Sequence, residues 1–106
     1  MNPKRPITPP KGLERSFAEL QEIPNVEPAT AENLLRLGVR TLEDLKARDP
    51  LEMYDAISRL DGVRHDPCVI DVFMAVVHFA KTGHAKPWWN FTASRKKLLE
   101  AHGRSG

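Results

Sequence analysis

The apolar positions of this chain recur three and four residues apart, in blocks separated by proline or glycine. Phe17 and Leu20 mark a first short block, and Ala31, Leu34, Leu35 and Leu37 a second. Leu51, Tyr54, Ile57 and Leu60 mark a third. Such spacing turns one face of an α-helix inward. A denser run carries Val69, Ile70, Val72, Phe73, Met74, Ala75, Val76, Val77 and Phe79. Its apolar surface covers nearly the whole circumference, which predicts a helix at the centre of the domain.

Breakers and caps set the boundaries. A first helix is expected over Leu13–Glu22, with Ser16 and Glu19 as a capping box. Pro24 has no amide hydrogen and stops the incoming helix. Asn25 tolerates the positive φ of a tight turn. Ile23 and Val26 are apolar in that turn, so they point inward. Pro28 occupies the favoured first position of the next helix, and Gly38 is its left-handed cap. Thr41 caps one or two turns whose buried side is Val39, Leu42 and Leu45. Asp49-Pro50 opens a helix to about Leu60. Asp66-Pro67 opens the central helix, Cys68 to Lys81, which Thr82-Gly83 ends. After a loop over 84–92, a last helix spans Ala93–Ala101, basic at its start and apolar at Leu98 and Leu99; Gly103 closes it.

The expected fold is therefore all-α: five to six short helices, in tandem helix–turn–helix units around a central apolar helix. Residues 1–12, with Pro3, Pro6, Pro9 and Pro10 beside Lys4, Arg5 and Lys11, read as a flexible arm. Residues 13–101 form the single domain, and 102–106 a flexible tail. The tandem comes from a repeat at an offset of 37 residues: Ile23 maps to Leu60, Asn25 to Gly62, Val26 to Val63, Ala31 to Cys68 and Leu35 to Val72.

Charge changes the picture. The net +2 divides into +3 over residues 1–15, −6 over 16–80 and +5 over 81–106. An acidic middle with basic ends assigns attraction for a nucleic acid mainly to the ends. No apolar run is long enough for a membrane span, and the start Met1-Asn2-Pro3-Lys4-Arg5 lacks the apolar stretch of a signal peptide. With a single cysteine, Cys68, these features point to the cytoplasm.

The turn Ile23-Pro24-Asn25-Val26-Glu27, with Ala31, Leu34, Leu37 and Gly38 behind it, resembles the helix-hairpin-helix motif. That family joins two short helices by an apolar–Pro–Gly–apolar–Gly turn. The resemblance implies DNA binding without sequence preference, the turn amides holding phosphates. Here Asn25 and Glu27 stand where the family has glycines, and Glu27 brings a repelling carboxylate. The run Asp61-Gly62-Val63-Arg64-His65-Asp66-Pro67-Cys68-Val69-Ile70-Asp71-Val72-Phe73, followed by Trp88-Trp89-Asn90, resembles the small bacterial "pathogenicity locus" family. Some members of that family carry a mitomycin-resistance label. This likeness spans roughly residues 17–92 and implies the fold more than any activity.

The expected nucleic-acid contacts are Asn25, Val26, Glu27, Gly62, Val63, Arg64, Arg95 and Lys96. Gly62–Arg64 is the stronger turn, since it keeps the glycine and supplies an arginine. The partner is then DNA through its phosphates; the alternative is a protein partner bound by a domain that keeps only the architecture. Cys68, near a helix start, would favour thiolate, yet Asp66 opposes it and free cysteines are commonly buried. Cys68, His65, His78 and His84 lack the paired spacing of a zinc site. Trp88, Trp89 and Phe91 either stack on bases or close the core, and the core is expected to claim at least one tryptophan. No carboxylate or lysine has a catalytic spacing, so no enzyme, cofactor or metal is expected.

Overall fold

Prolines and capping side chains start most of the helices. The structure, a computed structural model, describes residues 9–104. Among these residues the chain is all-helical: α1 (Glu14–Leu20), α2 (Pro28–Arg36), α3 (Leu42–Lys46), α4 (Pro50–Asp61), α5 (Cys68–Thr82), a short 3-10 helix (Trp88–Phe91) and α6 (Thr92–Ala101). α1 packs on α2, while α5 packs on α3, α4, α6 and the 3-10 helix. No residue from Cys68 to Ala80 is fully exposed, so α5 holds the centre as its apolar run predicts. Its Ile70, Phe73, Val76 and Val77 are buried with Leu20, Leu34, Leu45, Met53, Tyr54, Ile57 and Leu99. Val69, Met74 and Phe79 are only partly buried, which gives α5 an edge rather than a fully enclosed surface.

Three helix starts follow the expected chemistry. Pro28 and Pro50 are first residues of α2 and α4. Asp49 accepts the amides of Leu51 and Glu52. Thr41 and Asp44 form a reciprocal capping box on α3. Gly38 adopts φ 85°, and the Val39 amide then reaches back to the Leu34 carbonyl at 2.8 Å, closing α2.

α1 departs from expectation. Ser16 does not cap it; the preceding residue is Leu13, which makes no side-chain cap bond. Glu14 instead accepts the Gly12 amide at 2.9 Å. The helix ends at Leu20, well before Pro24. The amides of Glu22 and Ile23 turn back to the carbonyls of Glu19 and Leu20, each at 3.1 Å. These tight turns deliver Ile23 to the core ahead of the proline.

Two apolar positions also differ. Leu42, expected on the buried side of α3, is 37% exposed. Leu60, expected inside, is 58% exposed and lines a shallow hollow with Arg36, Leu37, Arg48, Ala56 and Arg59. Met53 takes the buried place on α4 instead. Arg104 is held to Asp55 by two bonds of 3.1 and 2.9 Å; residues 1–8 of the expected arm and 105–106 of the expected tail lie outside the described residues. No helix among the described residues is long and apolar enough to cross a membrane.

Candidate nucleic-acid interface

The first bend is built as its residues require. Asn25 has φ 74°, the one described non-glycine residue with positive φ. The Val26 amide donates to the Ile23 carbonyl at 3.1 Å, and both apolar side chains are 8% exposed. The Val26 amide is thus spent inside the turn and does not face a ligand, a correction to its expected role. Outward chemistry moves three residues on, to the start of α2. Glu27 precedes that helix in extended conformation and gives it no side-chain cap bond. Pro28 has no amide hydrogen. The first-turn amides of Ala29 and Thr30 have no carbonyl within the helix to reach, and Glu27, Pro28 and Ala29 are exposed.

Asn25 does something no local pattern announces. Its side-chain amide donates to the Lys86 carbonyl at 2.9 Å. The Trp88 amide donates to the Asn25 side-chain oxygen at 3.1 Å. The bend is therefore fastened, across more than 60 residues of sequence, to the loop before the 3-10 helix. Pro24, Asn25, Ala85, Lys86, Pro87 and Trp89 line a hollow of about 360 Å³ there. Trp88 is half-buried; Trp89 is 62% exposed and meets Trp88 edge-on at 5.6 Å. Neither tryptophan is a core residue. Phe91 is partly buried against the His78 ring at 5.5 Å.

The second bend shares the left-handed residue but little else. Gly62 has φ 69°. Its amide reaches the Arg59 carbonyl and that of Val63 the Ser58 carbonyl, both at 3.2 Å. This closure of α4 consumes two of the amides expected to face phosphates. The His65 amide goes to the Ser58 hydroxyl at 3.3 Å. The start of α5 already has an anion, since Asp66 accepts the Cys68 amide at 2.8 Å. Val63 is 60% exposed where its counterpart Val26 is buried. α5 also starts five residues after Val63, whereas α2 starts two after Val26. The repeat is confined to the bend.

Side chains secure this second bend. The buried Tyr54 hydroxyl donates to the His65 carbonyl. Asp61 pairs with Arg36 of α2 and with the His65 ring at 2.6 Å. These bonds, Arg36 first and His65 second, hold the Asp61 carboxyl below its ordinary range. Arg64 is exposed.

Arg95 corrects the sequence expectation most sharply. It is 5% exposed, and its Nε donates to Asp71 at 2.9 Å. Asp71 is fully buried and also accepts the Thr92 hydroxyl at 2.8 Å. A guanidinium enclosed with a carboxylate is committed to joining α5 and α6, not to a phosphate. The sequence carried a signal for this: Asp71 is the one carboxylate in the apolar run 68–80 and needed a cation. Lys96 is exposed, as is Lys97. Cys68 is partly buried, and its thiol is pushed up, first by its hydrogen bond to Asp66 and then by burial. That opposes thiolate. No group of three or more His, Cys, Asp or Glu among the described residues is placed to hold a metal.

These features define a small all-α protein whose first bend leads into an exposed helix start, without a side-chain cap, beside an aromatic loop. Residues 14–97 match the family model described as "Pathogenicity locus". The chain belongs to that family. It is also similar to a protein named mitomycin resistance protein McrB from Streptomyces lavendulae, 38% identical over 91 residues, covering 84% of this chain and 87% of that one. No solved structure matches it.

Proposed function

We propose that the α1–turn–α2 unit is a helix-hairpin-helix and that the protein is a non-enzymatic, cytoplasmic module binding nucleic acid weakly, without sequence preference. The exposed, uncapped start of α2 carries this reading. Amides at a helix N-terminus, with the positive end of the helix dipole behind them, suit a phosphate oxygen. Asn25 fastens the loop bearing Lys86 to the same bend, which supplies a cation where Glu27 opposes binding. Lys96 and Lys97 add long-range attraction from α6. The Gly62–Arg64 bend takes a lesser part, through the Arg64 side chain rather than spent amides.

A gel-shift series at low salt tests this with duplex and single-stranded oligonucleotides. Binding that weakens as salt rises, and that tightens in Glu27→Gly, supports it. No shift of either nucleic acid at about 50 mM salt removes it, since non-specific phosphate affinity is greatest under those conditions.

A second reading is favoured by one observation. Leu60 and Val63, 58% and 60% exposed, flank the second bend, and paired apolar exposure of this kind suits a protein partner. In that reading the domain keeps the architecture and Asn25 and Glu27 mark lost DNA contact. Retained nucleic-acid binding in a Leu60→Ser, Val63→Ser variant separates the two.

A further inference from the structure

Trp89 is a large apolar side chain left 62% exposed, yet it is not on a loose loop. The backbone on either side of Pro87 is held by both ends of one amide: Lys86 by its carbonyl, Trp88 by its amide hydrogen, both on Asn25. Trp88 braces the ring edge-on, 83° between planes. Pro24, Lys86 and Pro87 line the adjoining hollow of about 360 Å³. A ring fixed in solvent beside a hollow walled by flat prolines and bordered by a cation is suited to a planar ligand attached to an anion.

We propose that Trp89 is a stacking platform for an unpaired nucleobase, so that the protein prefers single-stranded or unwound nucleic acid to intact duplex. This rests on the nucleic-acid reading above and names the form of nucleic acid it takes. The exposed Glu22 and Glu27 near the bend weaken the phosphate contact there, and stacking on a base adds affinity that does not depend on charge. The preference arises because a paired base offers no face to the ring. Base-on-ring contact is also tolerant of sequence. Lys86, on the same hollow, supplies a cation for the phosphate next to a stacked base.

The test titrates the full chain with a fluorescein-labelled oligothymidine of 15 nucleotides, about one site length, and with a blunt duplex of equal length. Anisotropy reads affinity; tryptophan emission, in a Trp88→Phe background, reads Trp89 directly. The expected result is quenching by the single strand and a loss of about tenfold or more in its affinity for Trp89→Ala. Duplex affinity stays unchanged, and Trp89→Phe restores most of the loss. Equal single-strand affinity in Trp89→Ala, with duplex still bound, overturns this inference alone. Binding of neither nucleic acid overturns it together with the reading beneath it. Saturable quenching by a proline-rich peptide but not by the oligonucleotide assigns the hollow to a peptide and overturns it as well.

Discussion

Two polar residues join distant parts of the chain at the residue scale. Asn25 holds a left-handed backbone and both ends of its amide. Asn25→Ala adds left-handed strain of ~1–2 kcal/mol to the loss of two bonds worth ~0.5–1.5 kcal/mol each. Asn25→Gly keeps the bend and loses only the bonds, so it is expected to be the milder change. Thermal denaturation ranks the pair, and tryptophan emission shifts to the red in both as the loop comes loose. Asn25→Gly as stable as the unmutated protein would show that the fastening is idle. Asp71 is the other case. Asp71→Ala strands the Arg95 guanidinium in a site where it is 5% exposed, which costs about 3–5 kcal/mol. Asp71→Leu combined with Arg95→Met removes both charges and recovers most of that loss. Urea denaturation of the single and double variants measures the difference.

Helix starts, at the element scale, decide what each bend can do. α5 begins with Asp66 already on its first amide, while α2 begins with Glu27 making no cap bond. Glu27→Ser offers α2 a capping hydroxyl and is expected to add about 0.5–1 kcal/mol of stability, while removing a like charge from the site. A lower melting temperature in Glu27→Ser would mean that Glu27 has a role in the turn that its geometry does not suggest. Local chemistry made most element boundaries legible. Asp49-Pro50, the Thr41 box and the left-handed residues Asn25, Gly38 and Gly62 act over a few residues, so the chain announces them in place. α1 ends at Leu20 rather than Glu22 because Ile23 enters the core, a tertiary event that overrides the stop expected from Pro24.

What joins distant parts of the chain was not legible, and this governs the whole molecule. Periodicity put Leu60 inside and charge put Arg95 outside. Burial reversed both, because the end of α4 leaves Leu60 uncovered while Asp71 draws Arg95 in. The fastening of Asn25 to the Trp88 loop leaves no mark in either segment. The surface carboxylates also set an acid limit. Asp44, Asp61 and Asp66 are all held below their ordinary value of 3.8 by hydrogen bonds to the folded chain. A carboxyl depressed on folding adds stability that is full above its unfolded value and disappears as pH falls through its folded value. The melting temperature is therefore expected to fall with decreasing pH below about 4, and Asp61→Asn to shrink that fall. A melting temperature that stays level to pH 2 would contradict these bonds.

Amide-resolved NMR during titration of the protein with a short oligonucleotide tests the central claim most directly. A phosphate received by the opening turn of α2 shifts the amides of Ala29 and Thr30 first and furthest, followed by the Asn25 side chain and Lys86, and added salt reverses the shifts. Shifts confined to Leu60–His65, or none at any ratio in low salt, would contradict it.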